Sequence, residues 1–238
     1  VPWVIDSSGF SSGKTIVDWI FVCLRCILLP DHRAAVFYPT HSTGKTTFWE
    51  YFDFCEGSVF RAQVGETNKK GMDVGDGMTE SGSMWIVDWR NGNRLVLPAP
   101  SFAKKSTSQK STRYNTMLAE EWPEYEASGA VDSVLIGRNT RESWNQEHPV
   151  WCNHFLMTAP AATSLHPAYK RIKKQEKRIA SGDPTRAHLH YSYKDYSNLP
   201  SRNGRTFKDR FRVQAVIEEL KSLPPAKYLA EGLGIWGV

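Results

Sequence analysis

Short apolar runs alternate with longer amphipathic segments along the first part of the chain. The runs PWVI and RAAVFYP predict two strands, and the residues between them, from about Thr15 to Leu29, predict a helix that Pro30 ends. Strands that alternate with helices at this spacing favour parallel pairing. The pattern therefore predicts an α/β fold with a mostly parallel, doubly wound central sheet.

The middle of the chain departs from that alternation. After a further predicted helix, TTFWEYFDFC, the glycine-rich and polar residues 65–83 predict a mobile loop. The runs SMWIVDW and RLVLPA then flank Asn91-Gly92, a pair of residues that strongly favours a tight turn between two strands. We therefore expect an antiparallel hairpin beside the parallel strands.

Further strands and helices are predicted in the second half of the chain. The runs TMLA, VWCNHFLMTAP and AHLHYSY predict strands, and AYKRIKKQEKR predicts a basic helix. The run FRVQAVIEELK predicts a last helix, before a tail that contains proline and glycine. With 238 residues, 40% of them apolar, the chain is large enough for one sizeable domain with a small appended subdomain.

Charge and cysteine content narrow the classes of function. Thirty Lys and Arg residues against twenty-five Asp and Glu residues give a net charge of +5, which suits a polyanionic partner. The four cysteines are too few and too scattered for a disulfide scaffold. Cys23 and Cys26 lie in a predicted buried helix, which favours core packing over a zinc site. That helix is too short for a membrane span and carries charge.

The tripeptide Gly-Lys-Thr occurs twice, at Gly13–Thr15 and at Gly44–Thr46, each time between a predicted strand and a predicted helix. This is the setting of a phosphate-binding loop, whose backbone N–H groups turn toward the anion. The first copy has a second glycine, Gly9, whereas the second copy opens with Pro39, which has no N–H. We therefore predict that the first loop binds phosphate and that the second is a strand-to-helix turn. The predicted loop residues are Ser8, Gly9, Ser11, Ser12, Gly13, Lys14 and Thr15.

Two adjacent carboxylates follow the predicted strand TMLA. Glu120 is placed to hold Mg²⁺ with a loop hydroxyl, because Mg²⁺ bound with a nucleotide prefers oxygen ligands. Glu121 points in another direction and can orient or deprotonate an attacking water. The alternative is that both belong to the solvated acidic start of a helix, together with Glu124 and Glu126.

The order of these segments resembles the ATPase domain of the large terminase subunit, the motor that packages DNA into the heads of tailed bacteriophages. The matching segments are SSGFSSGKT, AAVFYPTHSTGKTTFWEYF, WIVDWRNGNRLVLPA, QKS, TMLAEEWPE, LMTAPAATSLHPAY, HLHYSYKDYSNLP and LAEGLGIWGV. They cover essentially the whole chain in the family's order.

This resemblance implies a fold and a division of the chain. The implied fold is a P-loop NTPase of the ASCE type, a three-layer sandwich with a mostly parallel central sheet, an antiparallel hairpin and a small C-terminal lid subdomain. Residues 1–180 are then expected to form the ATPase core. Residues 181–238 are expected to form the lid and a linker toward a nuclease domain that is absent from this chain.

The resemblance also implies roles for single residues. Lys14 is expected to contact the β- and γ-phosphates of ATP, and Glu121 is expected to be the catalytic glutamate. Thr15 and Glu120 are expected to hold Mg²⁺. The coupling motif that senses the γ-phosphate matches Thr158, Ala159 and Pro160.

The source of a catalytic arginine is left open by the sequence. Many terminases have an arginine inside the loop, but this chain has Phe10 there. Arg138 and Arg141 are the alternatives, most simply as arginine fingers that reach an adjacent subunit. Ordinary surface ion pairs with nearby glutamates are the competing interpretation of both residues.

Movement of DNA in this family implies contacts with the phosphate backbone and no reading of base sequence, so Lys and Arg on one exposed face suffice. Two basic segments are candidates, a hydroxyl-rich connection and the predicted basic helix, although charge runs of this kind are commonly just solvated faces. The candidate residues are Lys104, Lys105, Lys110, Arg113, Lys170, Arg171, Lys173, Lys174, Lys177 and Arg178.

The function that the resemblance implies is an ATPase motor that uses ATP and Mg²⁺ to drive double-stranded viral DNA into the procapsid. The expected partners are DNA, the viral portal, the small terminase subunit and further copies of the chain in a ring. The expected location is the host cytoplasm, at the portal vertex and without a membrane. No nuclease activity is expected, because no carboxylate set for a two-metal site follows the lid. The alternatives are another P-loop translocase or helicase-like ATPase, and a nucleotide-binding scaffold that does not hydrolyse ATP.

Overall fold

The protein is built on one mixed sheet with helices against both faces. The computed structural model describes residues 2–9, 14–38, 72–75, 78–81, 84–98, 112–127, 129–142, 145, 147–148, 150–159, 161–196 and 211–238. The predicted helix TTFWEYFDFC and the second Gly-Lys-Thr lie outside these residues.

The described residues contribute nine strands to the sheet. In chain order these are β1 Trp3–Asp6, β2 Arg33–Phe37, β3 Met72–Gly75, β4 Met78–Ser81, β5 Met84–Asp88, β6 Arg94–Leu97, β7 Thr116–Glu120, β8 His154–Thr158 and β9 Arg186–Leu189. Their order across the sheet is β3-β4-β5-β6-β2-β7-β8-β1-β9. All neighbouring pairs from β6 to β9 are parallel, and β3 to β6 pair antiparallel. The predicted mostly parallel α/β fold with an antiparallel hairpin is confirmed.

Helices connect the parallel strands and pack on the two faces of the sheet. Those described are α1 Lys14–Leu28, α2 Trp122–Ala127, α3 Ile136–Arg138, α4 Pro167–Ala180, α5 Tyr193–Tyr196, α6 Phe211–Ser222 and α7 Pro225–Lys227, with π-helical turns at Val131–Leu135 and Tyr228–Gly232. None of the described helices has the length and apolar character needed to cross a membrane.

Side chains that alternate along each strand divide the core into two layers. On β2, Ala34 and Val36 face α1, which buries Trp19, Val22, Cys23 and Cys26 against that side. Ala35 and Phe37 face the opposite layer, which also holds Trp122 and α4 residue Ile172. Because strand side chains have a period of two and helix side chains a period near 3.6, these positions place a buried face on each element. The result is a three-layer arrangement.

The turn between β5 and β6 also completes α1. Gly92 in this turn has φ of +84°, a value that glycine adopts without strain. The Asn93 side chain donates to the carbonyls of Cys26 and Leu29, and Asn91 donates to Cys26 and Ile27. These carbonyls belong to the last turn of α1 and have no partner inside the helix. The predicted Asn-Gly turn is therefore present and additionally caps the first helix.

The prediction of a mobile loop at residues 65–83 is wrong for most of its second half. Residues 72–75 and 78–81 form β3 and β4, which extend the sheet beyond β5. β4 pairs with β5, and β3 pairs with β4 at the edge of the sheet. The polar sequence gave no apolar alternation, the signal on which a strand prediction depends.

Candidate nucleotide site

Three strand ends bring polar residues into one row at the carboxyl edge of the sheet. In the strand register Glu120 of β7 is opposite Thr158 of β8, and Thr158 is opposite Asp6 of β1. All three residues are buried, with 5%, 0% and 2% of their surface exposed. Ligands of open α/β sheets bind beyond the carboxyl ends of the strands. The row is therefore a candidate site, and the sequence had pointed to two of its members.

The predicted phosphate loop begins directly after β1. The Asp6 carboxylate accepts from the backbone N–H of Ser8 at 2.9 Å, which fixes the first turn of the loop. The Ser8 hydroxyl in turn accepts from the backbone N–H of Tyr191 at 3.1 Å. Gly9 continues the pairing with its own N–H, which donates to the Tyr191 carbonyl at 2.8 Å. Ser11, Ser12 and Gly13 lie outside the described residues.

Gly9 is held by residues from the far end of the chain. A Cβ atom at Gly9 would lie 2.2 Å from the carbonyl oxygen of Gly232, so no side chain fits there. Gly234, with φ of +71°, packs in the same way against the Ser7 carbonyl, at 2.4 Å from its would-be Cβ. The sequence motif predicted glycine at position 9 for approach to a phosphate. The structure gives a further reason, which is contact with the C-terminal tail, residues 228–238.

Lys14 opens α1 and is the cation of the site. Its side chain is buried, and Nζ donates to the Gly9 carbonyl at 3.5 Å. Burial lowers the pKa of Lys14 below its ordinary value, and the carboxylates of Glu121, Asp6 and Glu120 oppose that change. A buried ammonium group with no closer hydrogen bond in the described structure is suited to an incoming anion.

Thr15 and Glu120 form a pair of oxygen donors beside Lys14. Thr15 Oγ1 donates to Glu120 Oε2 at 3.4 Å, while Glu120 Oε1 is buried without a hydrogen-bond partner among the described residues. Burial raises the pKa of Glu120 well above its ordinary value, as do the charges of Asp18 and Glu121, and Lys14 opposes the rise.

The two oxygens of this pair fit a Mg²⁺ ion that takes its remaining ligands from a nucleotide and water. The orphaned Oε1 of Glu120 is the observation that favours such an ion, because a buried carboxylate oxygen without a partner is costly. The described residues contain no group of three or more His, Cys, Asp or Glu side chains able to hold a metal ion by themselves.

Glu121 takes up an unusual backbone conformation at the end of β7. Its φ is +50°, a left-handed value that costs energy for a residue with a side chain. Glu121 as a whole residue is exposed. Burial of its carboxylate is nevertheless the main cause of its raised pKa. Lys14 opposes this rise, and Glu124 and Glu231 add to it. Glu121 therefore follows Glu120 directly at a left-handed turn, and the different roles of the two acids stay a prediction.

The structure adds Asp18 to the site, a residue that the sequence analysis left out. Asp18 follows Lys14 by four positions, so the two share one face of α1. Burial raises the pKa of Asp18 to about 8, the charge of Asp6 adds to the rise, and the neighbouring Thr158 hydroxyl counters it. The two groups are close without a hydrogen bond between them, since neither Asp18 Oδ2 nor Thr158 Oγ1 has a hydrogen-bond partner among the described residues. The spacing of four was the signal that could have revealed Asp18.

The predicted coupling segment contacts both the loop strand and the C-terminal tail. The Ala159 N–H donates to the Asp6 carbonyl at 3.2 Å, and the Gly237 N–H donates to the Ala162 carbonyl at 3.2 Å. Pro160 lies outside the described residues. The segment that begins at Thr158 is therefore bonded to the strand before the phosphate loop and to the tail.

A pair of tryptophans links the tail to the turn at Glu121. Trp122, which follows Glu121 directly, is fully buried, and its ring centroid lies 5.8 Å from that of Trp236. Aromatic rings at such distances stabilise each other beyond the area that they bury. The tail therefore supports the turn that carries Glu121.

Arg138 and Arg141 do not join this cluster. The Arg138 carbonyl accepts from the Tyr114 N–H at 2.8 Å, before the start of β7, and the residue is only 2% exposed. Arg141 forms an ion pair of 2.6 Å with Asp31, before the start of β2. Both arginines thus lie at the amino ends of the strands, on the opposite edge of the sheet from Lys14.

The basic candidates divide into paired and unpaired residues. Lys104, Lys105 and Lys110 lie outside the described residues, and Arg113 is exposed. On α4, Arg171 binds Glu126 at 2.7 Å and Asp132 at 2.8 Å, and Lys173 binds Glu176 at 2.8 Å. Lys170 and Lys174 are exposed, and the described residues offer them no carboxylate within ion-pair distance.

Comparison with known proteins identifies the fold. No protein-family model and no curated protein matches the sequence. Among solved structures, the large terminase of the thermophilic bacteriophage D6E superposes with a TM-score of 0.64 at 13% identity, over 100% of this chain and 48% of that one. The same terminase solved in complex with ADP gives 0.64 at 12%, over 99% and 48%. The large terminase ATPase domain of Thermus phage P74-26 gives 0.60 at 11%, over 98% and 87%.

These similarities show that the chain has the fold of large terminase ATPase domains, which confirms the fold class and the predicted resemblance. It spans about half the length of the D6E terminases and most of the isolated P74-26 domain. At identities of 10–13% the likeness concerns the fold.

Proposed function

We propose that this chain is the ATPase motor domain of a large terminase, which hydrolyses ATP with Mg²⁺ to move double-stranded viral DNA into a procapsid. The observation that carries the proposal is the convergence of Lys14, Thr15, Glu120 and Glu121 at the carboxyl edge of the sheet. Each has a position and an environment that suit one part of phosphoryl transfer. The D6E terminase with ADP supports a nucleotide in a chain of this fold.

In this proposal Lys14 and the loop that begins at Ser8 bind the phosphates. The buried ammonium group of Lys14 gains a partner when the β- and γ-phosphates enter, which relieves the cost of its burial. The positive end of α1 adds a favourable field for the same anion. Thr15 and Glu120 would hold Mg²⁺, which would shield the charge of the phosphates when bound.

Glu121 is proposed to act on the attacking water. Its raised pKa makes the carboxylate a stronger base than an ordinary glutamate, and the charge of Lys14 limits the rise. Glu120 ends β7, and the left-handed turn at Glu121 follows it directly. One adjacent acid would therefore serve the metal, while the other takes a proton from water.

Thr158 is proposed to sense the γ-phosphate and to pass on its departure. Its hydroxyl is buried without a partner among the described residues and lies between Asp6 and Glu120 in the sheet register. A change at Thr158 would reach the tail through the bond between Ala162 and Gly237. The lid and its linker, predicted at residues 181–238, would then move against DNA. Within that range β9 pairs with β1, so its residues are attached to the core sheet.

The remaining parts of the proposal concern other molecules. A ring of copies would supply an arginine from a neighbouring subunit, and Arg141 is more accessible for this role than the buried Arg138. Lys170, Lys174 and Lys177 on α4 are the most available contacts to DNA phosphates among the described candidates, together with Arg113. The viral portal and the small terminase subunit are the proposed partners, at the portal vertex in the host cytoplasm. We do not propose nuclease activity for this chain.

The test is Mg²⁺-dependent phosphate release from ATP, measured with and without duplex DNA. Lys14→Ala and Glu121→Gln are expected to lower turnover by at least about 100-fold, because each removes a group used in the transition state. Lys45→Ala, in the second Gly-Lys-Thr, is the matched control and is expected to leave turnover unchanged.

Other results would favour the alternatives. If Lys45→Ala is the inactivating change, the nucleotide loop has been assigned to the wrong copy. Tight ATP binding without phosphate release by the parent chain, alone and with DNA, would favour a non-hydrolysing scaffold. ATP-dependent strand separation would instead indicate a helicase-like enzyme.

A further inference from the structure

A serine, a histidine and a glutamate form a chain of contacts behind the phosphate loop, and the proposed mechanism does not use it. Ser7 Oγ lies 2.5 Å from His188 Nε2, which joins the first loop residue to the edge strand β9. On the other side of the ring, His188 Nδ1 lies 3.8 Å from Glu176 Oε1 on α4. Three elements of the fold therefore meet at one imidazole ring.

The chemistry of the three groups fixes the direction of the hydrogen bond. The Glu176 carboxylate can only accept, so it favours the tautomer whose N–H is at Nδ1 of His188. Nε2 then carries the lone pair, and the Ser7 hydroxyl donates to it. Ser7 is fully buried, so its hydroxyl has no access to a substrate and does not act as a nucleophile.

The surroundings of His188 keep the ring neutral. Burial lowers the pKa of His188 below its ordinary value, Glu176 and Asp6 raise it, and His190 and Lys173 lower it further. The net direction is downward, so near neutral pH the ring is available as an acceptor. Glu176 also binds Lys173 at 2.8 Å, an exposed pair of the kind that contributes little to stability.

We propose that His188 is a positioning residue for the phosphate loop, because it holds the Ser7 hydroxyl while Glu176 orients its ring. The inference rests on the proposed function, since it states how tightly the loop binds the phosphates of a nucleotide. Ser7 is followed by Ser8, whose hydroxyl accepts from the Tyr191 N–H, and by Gly9, whose N–H donates to the Tyr191 carbonyl. Tyr191 lies two residues beyond the end of β9. These contacts fix the start of the loop, Ser7 to Gly9, before the nucleotide arrives, which lowers the cost of binding.

The experiment measures the affinity for ADP by titration calorimetry, with the full chain at pH 8. His188→Leu removes the acceptor and is expected to weaken ADP binding by about tenfold, the effect of one hydrogen bond. His188→Gln can present an amide oxygen to Ser7 and is expected to stay within about threefold of the parent. The catalytic rate at saturating ATP is expected to be unchanged in both variants, because neither changes a reacting group.

Two surface variants separate the role of Glu176 from a general charge effect. Glu176→Gln is expected to weaken ADP binding by about threefold, because the amide no longer selects one tautomer. Glu218→Gln is the matched control, since Glu218 also pairs with a lysine three residues away, Lys221, and is exposed. Glu218→Gln is expected to leave the affinity for ADP unchanged. These two variants keep the test meaningful if His188→Leu does not fold.

A pH series adds a result that a purely structural role would not produce. As pH falls through the lowered pKa of His188, the ring gains a proton at Nε2 and Ser7 loses its acceptor. The difference in ADP affinity between the parent and His188→Leu is therefore expected to close at low pH. Parent-like affinity in both His188→Leu and Glu176→Gln at pH 8 would overturn the inference. Failure of the parent itself to bind ADP would instead overturn the proposed function, and this inference with it.

Discussion

Two buried polar clusters lie at opposite edges of the same sheet, and they differ in how well their hydrogen bonds are satisfied. At the amino edge, Arg25 donates through all three guanidinium nitrogens, to the Thr116 hydroxyl and to the carbonyls of Val150 and Cys152. His32 completes this cluster with a contact of 2.8 Å to Thr116. At the carboxyl edge, oxygen atoms of Asp18, Glu120 and Thr158 have no partner within the described residues.

The contrast separates a structural cluster from a candidate ligand site. Burial lowers the pKa of His32 to about 3, and the charge of Arg25 adds to this effect. Burial also lowers the pKa of Arg25 to about 10, and the three acceptors of its guanidinium group are neutral. At the carboxyl edge, by comparison, several acids crowd around a single lysine. A polar cluster that is incomplete by itself and lies at the strand ends is the better candidate for function.

The largest expected effect comes from breaking the amino-edge cluster. Arg25→Met is expected to lower the free energy of unfolding by about 3–5 kcal/mol, because buried carbonyls and a hydroxyl lose their donors. Urea denaturation measures this loss. A change below about 1 kcal/mol would mean that water replaces the guanidinium group and that the two edges differ less than proposed.

Two glycine-to-alanine variants compare how tightly the backbone is packed at two places in the fold. Gly234→Ala is expected to destabilise the protein by about 2–3 kcal/mol, since it combines a left-handed φ with a Cβ only 2.4 Å from the Ser7 carbonyl. Gly92→Ala has a similar φ but open space around the Cβ, so about 1 kcal/mol is expected. Thermal unfolding of both variants measures the difference, which reports how firmly the tail is packed on the phosphate loop. Equal effects would contradict that close packing.

Asp18→Asn is expected to stabilise the carboxyl edge in a pH-dependent way. The folded-state pKa of about 8 lies above the unfolded value near 3.8, so the folded protein keeps a proton that the unfolded chain loses. The contribution of the protonated Asp18 to the free energy of unfolding is therefore complete below about pH 4 and is lost as pH rises toward 8. The variant is therefore expected to gain on the order of 2 kcal/mol at pH 8 and much less at pH 5. Thermal unfolding at the two pH values gives the comparison, and an equal gain at both would exclude this titration.

The smallest expected effect is a narrowed pH range of ATP hydrolysis. Glu121 must be ionised to accept a proton, and its raised pKa moves the acid limb of the rate profile upward. Lys14 must be charged to bind phosphate, and its lowered pKa moves the alkaline limb downward. Steady-state rates over pH, with Glu121→Asp as a comparison, measure both limbs. If the two limbs instead give the ordinary pKa values of glutamate and lysine, the bound nucleotide returns both groups to those pKa values.

Much of the fold could be predicted because local patterns coincide with tertiary ones. The strand and helix on either side of the first loop, and the Asn-Gly turn, follow from periodicity and turn chemistry within short segments. The polar strands β3 and β4 could not be predicted in this way, because pairing of β4 with β5 and of β3 with β4 determines their structure. The burial of Arg138, a charged residue, likewise depends on tertiary contacts and not on local sequence.

The residues of the candidate site also divide into those that local sequence marks and those that only the fold brings together. Lys14, Glu120 and Glu121 were predictable because each belongs to a short motif at the end of a strand. His188 and Glu231 reach the site from distant parts of the chain, and no local signal marks them. Asp18 lies between these cases, since its spacing from Lys14 was visible but its burial was not.

The contact between Gly9 and Gly232 also has a consequence for the order in which the chain folds. β1 pairs only with β8 and β9 in the described sheet, so the first strand must wait for partners that follow it by about 150 residues or more. Contacts between residues so far apart in sequence form slowly, and they form late. During synthesis the predicted phosphate loop would therefore assemble late, although its residues precede all of these partners in the chain. A nucleotide that binds this loop would then recognise only chains whose C-terminal tail has already docked.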